Sequence, residues 1–81
     1  MDAIDVLLLG LYPYRNNVSF IRITDILSDS IYANTWRTIA RNAREHGYIE
    51  YPENSEYHTL AKISDFGIQY VEKKYADAEK L

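Results

Sequence analysis

The sequence contains no cysteine among its 81 residues, which excludes a disulfide framework and a thiolate metal site. Long hydrophobic runs are also missing. The longest uninterrupted apolar run, Val6 to Leu9, is too short to span a membrane, and no basic region precedes it. We therefore expect an intracellular, cytoplasmic protein with no membrane partner, in the host cytoplasm if the protein is viral.

The chain has no excess of positive charge, since its formal net charge is −3. A negative balance counts against a nucleic-acid partner when the charge is spread evenly. Here the spread is uneven. In residues 1–47 five arginines face five acidic residues, whereas in residues 48–81 four lysines face seven acidic residues. A locally positive surface is therefore expected in the first half of the chain.

The remaining composition is typical of an ordered globular chain, with 47% hydrophobic and 14% aromatic residues. The length allows one small domain, over residues 1–81. A domain of this size buries only about 60–65% of the surface that its unfolded chain exposes, so oligomerisation would stabilise it.

The most informative stretch runs from Asn34 to Gly47. An apolar stripe at helical spacing, formed by Trp36, Ile39, Ala40 and Ala43, predicts a helix over Asn34–His46. Gly47 suits the left-handed position just past its end. The opposite face is polar. Arg37 and Arg41 stand four residues apart, where like charges destabilise a helix by about 0.2–0.5 kcal/mol, which suggests an external anion as their partner.

The elements before this helix follow from periodicity and turn chemistry. Apolar residues at helical spacing predict a first helix, with Asp2 as its cap and Gly10 in a left-handed position at its end. The β-branched run Val18 to Ile23 predicts a strand. Thr24 and Asp25 suit the start of a second, short helix. A turn over residues 28–30 then follows, with Ile31 as its buried plug.

After Gly47 the hydrophobic period changes from 3.6 to 2. Tyr48 to Tyr51 and Tyr57 to Ile63 read as two strands of a hairpin, with Ala61 and Ile63 among the residues on one face. Ser64 is expected to cap a last helix. The sequence thus predicts an α+β fold: helix, short strand, helix, turn, helix, two-stranded hairpin and C-terminal helix.

This order and two motifs resemble winged helix-turn-helix proteins. The run I-Y-A-N-T-W-R-T-I-A-R-N-A-R-E-H-G-Y-I-E-Y, residues 31–51, is similar to the segment where a recognition helix ends in a glycine before an apolar strand. The segment I-S-D-F-G, residues 63–67, is similar to the entry of the wing into the final helix. The likeness covers nearly the whole chain and is greatest to small single-domain regulators of archaea and of their viruses and plasmids.

The resemblance implies sequence-specific binding of double-stranded DNA, and with it a transcriptional regulator that inserts the Asn34–His46 helix in the major groove. The positions implied for base contacts are Asn34, Thr35, Arg37, Thr38 and Arg41, and those nearer the phosphates are Tyr32, Asn42 and Arg44. The wing would carry Asn54 and Ser55 at its tip. That tip departs from the family, because Glu53 and Glu56 stand where basic residues are usual.

Other functions were weighed against DNA binding. A winged helix used for protein–protein contact, through its acidic wing and tyrosine-rich surface, is the main alternative. We interpret Trp36 as a core residue and not as a stacking platform for single strands, because it belongs to the apolar stripe. His46 and His58 lack metal-ligand spacing, and no catalytic motif is present. We expect no enzyme activity, no cofactor and no small-molecule ligand.

Small size and the apolar stripe of the last helix predict a homodimer. The residues expected at its interface come from the last and the first helices, namely Leu7, Leu11, Ile68, Val71, Tyr75 and Ala78. A two-fold axis would place two recognition helices on half-sites about 34 Å apart in a palindromic sequence.

Overall fold

The elements follow one another in the predicted order in a computed structural model, which describes residues 2–53 and 59–75. The helices are α1 (Ala3–Leu11), α2 (Ile23–Leu27), α3 (Trp36–Glu45) and α4 (Asp65–Lys74), and the strands are β1 (Ile21–Arg22), β2 (Ile49–Glu50) and β3 (Leu60–Ile63). Short 3-10 helices at Tyr12–Tyr14 and Ala33–Thr35 follow α1 and precede α3. The fold is therefore α+β, as expected. Within the described residues, no helix is long and apolar enough to cross a membrane.

The three strands form one antiparallel sheet in the order β1-β3-β2. Ile21 is opposite Ala61, and Ile49 is opposite Ile63. Along β3 the side chains alternate between half-buried and buried, with Ala61 and Ile63 buried. This confirms the inward face predicted from the period of two. Tyr57, assigned to the same face, lies outside the described residues.

The core lies between the sheet and the helices. It is built from buried hydrophobic side chains of all four α-helices and of β2 and β3, with α1 contributing Leu7, Leu8 and Leu11. The predicted stripe of α3 is confirmed for Ile39, Ala40 and Ala43, which are buried. Trp36 is only half-buried and packs against the edge of this core.

Gly10 corrects one prediction about α1. It lies inside the helix and is not left-handed, and the helix continues to Leu11 before the 3-10 helix that contains Pro13. The reason for a glycine here is close packing of α1 on α2. A Cβ atom at Gly10 would lie 2.4 Å from Cγ2 of Ile26. The residue therefore allows two helices to approach, and does not end one of them.

The strand and helix after the first loop also differ from expectation. Strand β1 covers only Ile21–Arg22, and α2 begins at Ile23 without a side-chain cap. The amide of Ile23 donates to the carbonyl of Thr59 at 2.9 Å, so the chain passes directly from sheet pairing into the helix. Thr24 and Asp25, expected at the helix start, lie within its first turn.

The turn between α2 and α3 is held by Ser30. Its hydroxyl donates to the carbonyl of Leu27 at 2.8 Å and accepts from the amide of Tyr32 at 3.1 Å. The prediction of a buried plug at Ile31 is wrong, because this side chain is 89% exposed. The hydroxyl of Ser30 thus satisfies backbone hydrogen-bonding groups of this turn, while the side chain of Ile31 stays in solvent.

The end of α3 is fixed against the start of α4. Gly47 has a φ of 79°, the left-handed conformation predicted for it. Ser64 donates its hydroxyl hydrogen to the Gly47 carbonyl and accepts from the Gly67 amide at 2.9 Å, which confirms the predicted cap. Gly67 packs so close to the chain that a Cβ atom there would lie 2.2 Å from the Tyr48 carbonyl oxygen.

A buried carboxylate joins the first and last helices. Asp5 accepts hydrogen bonds from the hydroxyls of Tyr70, at 2.6 Å, and Tyr75, at 2.5 Å, and forms a 2.7 Å ion pair with Lys74. Burial raises the pKa of Asp5, but the hydrogen bonds and the charge of Lys74 oppose this and hold that pKa below its ordinary value. We call these four residues the Asp5 cluster.

The burial of α1 and α4 changes the expected dimer surface. Leu7, Leu11 and Val71 are fully buried within the single chain, so their side chains serve its own core and are not available to a second chain. Ile68 and Tyr75 are half-buried, which leaves part of each side chain at the surface. Ala78 lies outside the described residues.

Candidate nucleic-acid interface

Helix α3 starts two residues later than predicted. Asn34 and Thr35 belong to the 3-10 helix that precedes it, and α3 ends at Glu45, one residue before His46. The Thr35 amide and hydroxyl both donate to the carbonyl of Tyr32, at 3.1 and 3.3 Å. This tight turn leads the chain into α3 while the side chains of Asn34 and Thr35 stay exposed.

Three exposed arginines form a strip along α3. Arg37, Arg41 and Arg44 occupy positions i, i+4 and i+7, which share one side of a helix. Among residues 2–53 and 59–75, no carboxylate lies within salt-bridge distance of these guanidinium groups, and the possible pair of Arg41 with Glu45 is not formed. We call these residues the arginine strip. Its positive charge is not neutralised by any described neighbour.

The other predicted contact residues surround this strip. Thr38 and Asn42 are exposed on the remaining outer face of α3, together with Asn34 and Thr35 just before it. Tyr32 is half-buried and packs against the core, so only part of its ring can reach a ligand. Seven of the eight predicted contact residues are therefore exposed on α3 or just before it, and Tyr32 is the exception. Asn54 and Ser55, predicted in the wing, lie outside the described residues.

A groove runs beside the arginine strip, between α3 and the residue that follows β2. It has a volume of about 460 Å³ and is lined by Trp36, Arg37, Ala40, Arg41, Arg44, Glu45 and Tyr51. The guanidinium carbon of Arg37 lies 5.0 Å from the centre of the Trp36 ring, a cation–π contact. We call this feature the α3–Tyr51 groove. Sequence periodicity placed Trp36 in the core and did not indicate a groove.

The pKa of Tyr51 reflects the burial and the charges around the groove. Partial burial raises the pKa of its hydroxyl, while the positive charges of Arg44 and Arg41 act in the opposite direction. Two guanidinium groups therefore act at the site where the Tyr51 side chain lies. A negatively charged ligand in the groove would be stabilised by the same charges.

Aromatic side chains also stack where the chain leaves the C-terminal end of α3. The Tyr48 ring stacks with the His46 ring, at 5.5 Å between centres, and with the Phe66 ring, at 5.4 Å, and the centre of the Tyr70 ring lies 4.5 Å from it. Phe66 is 57% exposed. Sequence analysis missed this aromatic stack. The spacing of Phe66 and Tyr70, four residues apart on α4, is the signal that could have indicated it.

Residues 2–53 and 59–75 contain no group of three or more His, Cys, Asp or Glu side chains that could hold a metal ion. The candidate site is therefore defined by the arginine strip, its polar neighbours and the groove beside it. Comparison of the chain with protein-family models, curated proteins and solved structures finds no significant match.

Proposed function

We propose that this protein is a sequence-specific double-stranded DNA-binding protein of the winged helix-turn-helix type, acting as a transcriptional regulator. The order of elements supports this proposal. Helices α2 and α3 are joined by residues 28–35, which contain the Ser30 turn and a short 3-10 helix, and the antiparallel strands β2 and β3 and helix α4 follow them. In such an arrangement α3 is the helix that enters the major groove.

The arginine strip is the observation that carries the proposal. Helix α3 has ten residues, a length of about 15 Å, and a B-DNA major groove about 12 Å wide admits such a helix. Three guanidinium groups that meet no carboxylate among residues 2–53 and 59–75 lie on one exposed helix face and repel one another in the free protein. DNA phosphates would neutralise their charge, and phosphate oxygens and guanine edges would accept their hydrogen bonds.

The side chains divide between two tasks. Arg41 and Thr38 on α3, with Asn34 and Thr35 just before it, are exposed and are assigned to base edges, where arginine pairs with guanine through two hydrogen bonds. Arg44, Asn42 and the exposed part of Tyr32 are assigned to phosphates. Arg37 lies over the Trp36 ring, so its guanidinium must leave that ring to reach a base.

We also propose that the protein binds DNA as a homodimer. The half-buried side chains of Ile68 and Tyr75 and, separately, the exposed ring of Phe66 are apolar surface on α4 or just after it that a second chain would cover. Covering these side chains would add buried apolar area to a domain whose small size limits its own core. A two-fold axis through this surface would give a palindromic site with half-sites about 34 Å apart.

The direct experiment is selection of binding sequences from a pool of random duplexes, followed by titration of the selected duplex at several salt concentrations. Each phosphate contact contributes about 0.9 to the logarithmic salt slope. Arg41→Ala should weaken binding by about 1–3 kcal/mol and relax base preference. Arg22→Ala is the matched control, because Arg22 is an exposed arginine on β1. Equal binding by both variants and the unaltered protein would contradict the proposal.

The exposed Phe66 also favours a second candidate function, a winged helix module that binds another protein through its aromatic stack. Apolar aromatic side chains are enriched at such interfaces. The two functions differ in the residues on which they depend. Loss of partner binding in Phe66→Ser, with no dependence on Arg41, would favour the protein-binding function.

A further inference from the structure

The α3–Tyr51 groove has features that insertion of α3 into a duplex does not use. Trp36 and Ala40 lie on its helical side, Tyr51 lies on the other, and arginine side chains stand along it. We propose that this groove binds one unpaired nucleotide of single-stranded DNA, with the base stacked at Trp36 and Arg37 and the adjoining phosphates at Arg41 and Arg44.

The groove offers surfaces on which an unpaired base can stack. Unpaired bases stack on aromatic rings and on guanidinium planes. The groove presents both, with the Arg37 guanidinium 5.0 Å from the Trp36 ring centre. Trp36 is half-buried, so the core holds the ring in place while part of it remains accessible. A base can enter against this pair without prior exposure of the core.

The groove also carries positive charge. Among the described residues that line it, three are arginines and Glu45 alone is acidic. The guanidinium groups of Arg41 and Arg44 both act at Tyr51. A ligand that combines a flat uncharged ring with one or two negative charges at its edge matches this arrangement, and a nucleotide unit within a strand has that chemistry.

The volume of the groove, about 460 Å³, lies within the range of roughly 300–1,000 Å³ that holds small ligands in proteins. A paired base in a duplex cannot enter a groove of this kind, because its faces are already covered by its neighbours. An unpaired base enters at the lowest cost, since no base pair must be broken.

Fluorescence of Trp36 is a direct measure of occupancy, because it is the single tryptophan in the sequence. The whole chain is titrated with a short oligothymidylate, with an abasic strand of the same length and phosphate count, and with a blunt duplex. Oligothymidylate should quench Trp36 and bind about 5- to 150-fold more tightly than the abasic strand. Equal affinity of these two strands would overturn the proposal.

Variants give a second test that does not depend on tryptophan emission. The ratio of oligothymidylate to abasic-strand affinity, measured with labelled strands, should fall toward one in Trp36→Leu and be retained in Trp36→Phe, which keeps an aromatic ring. A ratio unchanged in Trp36→Leu would overturn the proposal. So would quenching by free thymidine monophosphate at the affinity of the oligonucleotide, because the occupant would then be a small molecule.

The outcome separates this inference from the proposed function. Tight duplex binding without a base-dependent preference for single strands would leave the duplex function in place and remove the groove assignment. Base-dependent binding of single strands, with no duplex sequence selected from the random pool, would support the groove assignment and remove the proposed duplex function.

Discussion

The ammonium group of Lys74 lies 2.7 Å from Oδ2 of Asp5, a side chain that is only 1% exposed. This pair links the end of α4 to the first turn of α1, and the hydroxyls of Tyr70 and Tyr75 complete the coordination of the carboxylate. A buried carboxylate is tolerated because its charge is compensated and its oxygens accept hydrogen bonds.

Replacing Asp5 with Asn should reduce the free energy of unfolding by about 1.5–3 kcal/mol, the usual contribution of hydrogen bonds to a charged group. Denaturant titration measures this change. Asp2→Asn is the matched control, since Asp2 is exposed and makes no side-chain cap hydrogen bond. We expect the control to change stability by less than about 0.5 kcal/mol. Similar effects of the two substitutions would show that the Asp5 cluster does not contribute.

The Asp5 cluster also predicts how stability depends on pH. The pKa of Asp5 is lowered by folding from an ordinary value of 3.8, so its contribution is complete above that pH and is lost as pH falls through the folded-state pKa. Hydrogen bonds to Asp5 raise the pKa of Tyr70 and Tyr75 above 10.0, so their contribution is lost only as pH rises beyond that. The stability difference between the protein and Asp5→Asn should therefore be constant between these limits and shrink in acid. A difference that grows in acid would contradict this reading.

Two glycines in helices should respond differently to alanine. At Gly67 the new Cβ would lie 2.2 Å from a backbone oxygen, of Tyr48, whereas at Gly10 it would meet the side chain of Ile26. The backbone at Tyr48 cannot move aside as the side chain of Ile26 can. Gly67→Ala should therefore lower the free energy of unfolding by about 1–3 kcal/mol, and Gly10→Ala should lower it by less. Thermal unfolding of both variants measures the difference. The same gain in helix propensity applies to both, so it does not affect the comparison.

Glu45 is the acidic residue that lines the α3–Tyr51 groove, and it stands on the same helix as the arginine strip. If α3 binds DNA, Glu45→Gln should raise affinity for any duplex by about two- to five-fold at low salt, because one repulsive charge is removed. Asp2→Asn, with the same change in net charge at the start of α1, should have a smaller effect. Identical gains in both variants would mean that only net charge matters.

The homodimer is tested by sedimentation or by light scattering at tens of micromolar protein. Phe66→Asp should dissociate the dimer, because a charge would have to be buried in its interface. Val18→Asp is the control, as Val18 is 89% exposed and lies in the loop before β1. A monomer before any substitution would remove the basis for a palindromic site.

The parts of the fold that the sequence predicts are those set by neighbours along the chain. Gly47 and Ser64 end and begin helices through contacts with residues a few positions away, and both predictions are confirmed. Gly10 shows the limit of such local patterns. A glycine near a helix end is typical of a left-handed stop, and the packing of Ile26 that explains it is not visible in local sequence.

The candidate site shows the same division. The spacing of Arg37, Arg41 and Arg44 on one helix is a local property, and their shared exposed face is confirmed. The groove depends on Tyr51, which the sheet brings beside α3. The Asp5 cluster joins Asp5 to Tyr70, which is 65 positions away in the sequence, and to Tyr75, which is 70 positions away. No periodicity within a helix encodes such pairings, so they required the structure.

Strands β1 and β3 pair across a long loop of sequence that contains α2, α3 and β2, since Arg22 stands opposite Leu60. Closing so long a loop is entropically costly and slows folding. The helices can therefore form first, while the sheet, with the bond from the Ile23 amide to Thr59, is completed late. We therefore expect the arginine strip, which α3 alone provides, to form before the groove, whose Tyr51 follows strand β2 of that sheet.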